Sequence, residues 1–158
     1  MAYVIEPTYE RLRELAFAWR GTEAPTGSPN GFILETGYPP AVFTLAVLRD
    51  RPVVAVSLYF SNGGGIIGAG THKGPADAAA ALARMTVRFK DALPQVRENP
   101  LPSLGEARLY ILIDGIWRGV SGPEVDFGQG RMATSPLFHA AHRVIAEVMK
   151  FRESGAPP

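Results

Sequence analysis

Residues 32–60 read FILETGYPPAVFTLAVLRDRPVVAVSLYF, and the fold class follows from how this stretch divides. Segments 32–36, 41–48 and 53–60 are rich in β-branched and aromatic residues, and Tyr38-Pro39-Pro40 and Arg49-Asp50-Arg51-Pro52 interrupt them with turn formers. The pattern predicts a three-stranded meander. Val42, Ala46 and Leu48 alternate with Phe43, Leu45 and Val47, so the second strand is apolar on both faces, as in a sheet covered on two sides by helices or by a partner. Ser61-Asn62-Gly63-Gly64 reads as a turn into a glycine-diluted fourth strand over 65–71.

Upstream, Tyr9, Leu12, Leu15, Ala16 and Trp19 recur at helical spacing, which predicts a helix over 8–20 capped by Thr8 and closed by Gly21. The turn-forming stretch 21–31 is a loop. Downstream, Gly74-Pro75 opens a second helix whose stripe is Ala78, Leu82, Met85, Phe89, Ala92 and Leu93, ending at Pro94. Segments 107–113 and 116–121 flank Asp114-Gly115, a strong hairpin signal. After a loop over 122–130, Ser135 and Pro136 start a last helix running to about residue 153, and 155–158 fray. The order is α, three or four β, α, two β, α. Successive antiparallel hairpins with three helices on the sheet make one α+β domain over 1–158, with the second and third helices on one face.

Composition narrows the function. Sixteen Lys and Arg against fifteen Asp and Glu give a formal charge of +1, no field to recruit a polyphosphate, so nucleic acid is not an expected partner. Zero cysteines exclude disulfides, thiolate metal sites and cysteine nucleophiles. The first seven residues, MAYVIEP, carry acid and proline where a secretion signal has basic residues, and the longest apolar runs are about half a membrane span. The expected location is the cytoplasm. Abundant Ala, Gly, Pro and Arg suggest a bacterial or phage source.

Few segments carry a chemical signal. Gly63, Gly65 and Gly68 satisfy the spacing of a dinucleotide fingerprint after an apolar strand, but the following helix starts too late to meet a pyrophosphate. A milder anion site remains at Gly70, Thr71, His72 and Lys73, just before that helix. His139 and His142 are three apart on the last helix, yet His142 borders the apolar stripe while His139 lies on the polar side, which argues against a shared metal. Asp126-Phe127-Gly128 and Gly119-Val120-Ser121-Gly122-Pro123 lack the context of the catalytic motifs they echo, and Glu124 and Asp126 are solvated loop acids. Partner contacts are expected from Arg84 and Arg88 on the second helix and from the strand aromatics Tyr59 and Trp117.

These readings add up to a non-enzymatic protein-binding module of immunity-protein or secretion-chaperone type, with no catalytic residue, metal or cofactor. Surplus apolar strand surface and an open sheet edge point to a protein partner, to self-association as a homodimer, or to both. The alternative is a small-molecule or anion-binding domain, or a weak hydrolase, built on the glycine-rich segment 63–74.

Overall fold

The computed structural model describes residues 3–21, 25–50 and 53–154. Six antiparallel strands form one sheet in the order β4-β3-β2-β1-β5-β6, comprising β1 (Pro29–Tyr38), β2 (Ala41–Asp50), β3 (Val53–Phe60), β4 (Gly65–Ile66), β5 (Glu106–Ile113) and β6 (Ile116–Pro123). Four helices pack on it: α1 (Pro7–Ala18), α2 (Lys73–Thr86), α3 (Glu124–Gly128) and α4 (Ser135–Ser154). The meander and the hairpin share this sheet through β1 and β5, where Leu34 lies opposite Leu109. Asp114 and Gly115 take φ of +54° and +74°, the left-handed pair that a two-residue hairpin turn requires.

Strand alternation builds two cores. Leu34, Leu45, Val56, Leu58, Leu109 and Ile111 face α2 and α4, meeting Leu82, Leu137, Val144 and Val148. Ile33, Ala46, Tyr110, Leu112 and Trp117 face α1, meeting Tyr9, Ala16 and Phe17. The second face is therefore covered from within the chain. After a 3-10 turn at Val87–Ala92, Leu93 enters the α2 and α4 core and residues 94–104 complete that cover, with Val96 and Leu101 against the α1-side core. The Val96 amide donates to the Trp117 carbonyl and the Gly119 amide to the Pro94 carbonyl, so this segment also occupies the first half of the β6 edge. The need for a second subunit to shield the sheet disappears.

Several expectations change. The fourth strand shrinks from 65–71 to two residues, because Gly68 turns left-handed at φ +82° and a 3-10 turn at Ala69–Thr71 follows. The loop over 122–130 contains α3, whose first turn holds Glu124 and Asp126 at the positive end of the helix dipole. In α1, Pro7 occupies the first turn and Glu6 the cap position without a side-chain bond, so Thr8 is not the cap; the helix stops at Trp19, before Gly21. Its buried face is shifted: Leu15 is 52% exposed and Phe17 is buried. α2 starts at Lys73 with His72 at its cap position, ahead of Pro75. Residues 22–24 of the first loop, 51–52 of the second turn and 155–158 lie outside the described residues.

Candidate functional site

Glu35 is the one charged residue in the interior of β1, and its side chain is fully buried on the α1 face. Arg13 compensates it from α1, with Nε donating to Oε2 and Nη2 to Oε1, each at 2.7 Å. The Thr44 hydroxyl donates to Oε2 at 2.7 Å and pairs with the Tyr9 hydroxyl at 2.8 Å. Burial and then Glu35 push the Tyr9 phenol well above its ordinary pKa. For Arg13 burial works against the charge, but the Glu35 bonds outweigh it and the net shift is upward. Each oxygen of Glu35 thus accepts at least one hydrogen bond and its charge is paired, which suits docking of α1.

The same guanidinium donates to the Asn99 carbonyl, so the ion pair also ties down the segment 94–99. We call this segment the strap, since it crosses the sheet over Tyr110. Two clefts flank it, about 330 and 350 Å³, and both are lined by Val96, Glu98 and Tyr110. The first also has Phe17 and Trp117 on its floor and Arg20 and Arg97 on its rim; the second reaches Arg108 and Ser121. Phe17 meets Tyr110 edge to face at 4.9 Å and Trp117 at 5.6 Å. The Tyr110 hydroxyl is buried and makes no hydrogen bond of ordinary geometry, and burial, with Glu35 second, raises its pKa.

A different surface lies at the far end of β1. Tyr38 stacks on Phe43 with centroids 5.0 Å apart, and its hydroxyl donates to Glu124. Burial and that bond raise the phenol pKa. Around it the Val4 amide donates to the Pro40 carbonyl, Gly37 bridges Leu104, and the Glu124 amide donates to the Gly105 carbonyl. These links gather Val4, Tyr38, Leu104 and Val125 on one rim, four of the seven large apolar side chains exposed among the described residues.

The residues expected to hold an anion do not converge. Lys73 pairs with Asp77 at 2.6 Å in full solvent, the Thr71 hydroxyl donates to the Gly68 carbonyl, and Gly70 packs on the Val54 carbonyl. His72 lies against Phe151, with ring centroids 4.3 Å apart. Gly63 lies in the β3–β4 turn and Gly65 opens β4, well before α2. His139 is exposed and contacts the Gly128 carbonyl, while His142 is half-buried on Phe138, where burial lowers its pKa against the opposing pull of Glu124. No group of three metal-ligating side chains occurs among the described residues.

Arg84 and Arg88 are exposed as expected, but Tyr59 and Trp117 are core residues and do not stand on the surface where a partner protein would meet them. Both are 8% exposed in the α1-side core, and the Trp117 indole N–H donates to the Phe17 carbonyl. Asp126 is paired with Arg131, and Glu124 with Tyr38, so neither is a free loop acid. Sequence reasoning missed the Glu35 network, the strap clefts and the rim. A lone Glu within an apolar strand was the available signal for the first; nothing local marked the others. No helix among the described residues is long and apolar enough to cross a membrane. No protein-family model, curated protein or solved structure matches the chain.

Proposed function

We propose that this chain is a non-enzymatic protein-binding module, a cytoplasmic bacterial or phage protein of the kind that immunity proteins and secretion adaptors represent, and that its partner meets the rim around Tyr38. The observation that carries this reading is the collection of Val4, Tyr38, Leu104 and Val125 at one end of the sheet. Scattered exposed hydrophobes need no explanation, whereas four on segments bonded together at one end of the sheet, a tyrosine among them, have the composition of an interface core. Tyr38 is already held by Phe43 and Glu124, so an approaching surface loses little side-chain entropy in packing on it. The structural use of Glu35, paired with Arg13 and bonded by Thr44 to hold α1 on the sheet, supports the non-enzymatic half of the reading.

The test is affinity capture from the cells that naturally make the protein, comparing wild type with Leu104→Asp and Val125→Asp. Wild type should retain a stoichiometric protein partner that both rim variants lose and that Val87→Asp, exposed just past the end of α2, keeps. Capture that Val87→Asp abolishes and the rim variants preserve would refute the assignment.

A further inference from the structure

The cleft between the strap and the end of α1 has the chemistry of a small-molecule site, separate from the rim. Its volume of about 330 Å³ falls at the lower end of the roughly 300–1,000 Å³ typical of such sites. Its floor is aromatic: Phe17, Tyr110 and Trp117 are all buried and fixed against one another. Its rim is cationic. The Arg20 Nη1 donates to the carbonyls of Phe17 and Trp19, which sets the guanidinium at the mouth, and Arg97 is exposed with no ion-pair partner among the described residues. Glu98 is the single acid lining the cleft. The wall opposite α1 is held by the Arg13 bond to Asn99 and by the Val96 bond to Trp117, so the cavity is preformed.

From this we infer that the cleft binds an aromatic carboxylate, its ring over the Phe17–Tyr110–Trp117 floor and its carboxylate between Arg20 and Arg97. A planar arene gains offset or edge-to-face contact with the floor, and a carboxylate matches the fork geometry of a guanidinium. The anion is a free small molecule or the C-terminal aromatic residue of a peptide, since both present this pair of groups.

Calorimetric titration with phenylacetate, phenylacetamide and N-acetylphenylalanine tests the inference on the intact chain. Phenylacetate should bind saturably and the neutral amide roughly tenfold more weakly. Arg97→Glu, at an exposed position with no structural bond, should weaken phenylacetate roughly two- to fivefold or more without moving the melting temperature, and should leave the amide unchanged. Arg20→Gln should act in the same direction. Tighter binding of N-acetylphenylalanine than of phenylacetate supports the site and assigns it to a peptide terminus; the reverse supports it and assigns it to a free acid. Absence of saturable binding by any of the three probes to the folded protein overturns the inference, as does carboxylate binding that neither arginine substitution changes.

Discussion

Arg13 reaches from α1 across 22 residues of chain to close a two-bond contact on Glu35, a carboxylate with no exposure to solvent. Removing one member of such a pair costs far more than removing both, because the survivor is left charged in a low-dielectric interior. Arg13→Met should therefore destabilise the fold by about 3–5 kcal/mol in urea unfolding. Adding Glu35→Leu to it should recover most of that loss, with Tyr9 and Thr44 still bonded to each other. A single variant within about 0.5 kcal/mol of wild type, the usual range for surface changes, would show that the pair is solvated.

The segment Gly70–Lys73 makes a second contrast. A Cβ added at Gly70 would sit 2.3 Å from the Val54 carbonyl oxygen, a backbone atom that cannot swing away. Gly70→Ala should lower stability by about 1–3 kcal/mol, the range for overpacking. Lys73 is paired with Asp77 in solvent, so Lys73→Ala should leave stability close to that of wild type. Thermal melts of the two variants check the difference, and equal shifts would contradict this packing.

His142 supplies the pH dependence. Burial on Phe138 lowers its pKa from the ordinary 6.5, with Glu124 opposing and His139 reinforcing the shift. The unfolded chain therefore takes up the proton first as the pH falls. Its contribution to stability is complete above about pH 6.5 and is lost progressively as the pH drops through the lower folded value. Urea midpoints at pH 7.5 and 5.5 should converge in His142→Leu relative to wild type. His139→Ala, at an exposed position, should leave the pH 7.5 midpoint and the metal content unchanged.

The course of the chain was legible wherever a local period or turn chemistry decided it. Asp114-Gly115 closed the hairpin because few other residue pairs take two positive φ values. The α4 stripe and the Ala78, Leu82, Met85 and Phe89 part of the α2 stripe lie on the sheet as their spacing predicts, whereas Ala92, in the 3-10 turn past α2, is exposed. What could not be read depended on partners distant in sequence. Arg13 looks solvent-facing on a helical wheel, and only Glu35 on a neighbouring strand turns it inward. That inward pull rotates α1, leaving Leu15 in solvent and bringing Phe17 onto Tyr110. The strap has no periodicity; it is held by backbone bonds to β6 and by Arg13, neither of which a sequence window contains. The rim arises because four separate segments end at one place.

The route of any self-association follows from the same geometry. Both faces of the sheet are covered within the chain, one by α2 and α4 and the other by α1 with Val96 and Leu101. The β6 edge is half occupied by the strap, and β4 is two residues long. A second copy pairing face to face would first have to displace these elements, on the α1 side beginning with the Arg13–Glu35 contact, and edge pairing is confined to the free half of β6 and to the short β4. The apolar surface still gathered in one place is the rim, where Leu104 is 45% and Val125 is 54% exposed. If wild type scatters light as a dimer at micromolar concentration, Leu104→Asp combined with Val125→Asp should return it to the mass of one chain. Leu15→Asp, on the outer side of α1, should leave the mass as it was. A dimer that survives the double substitution and dissociates with Leu15→Asp would place the interface on α1 and remove the rim from the argument.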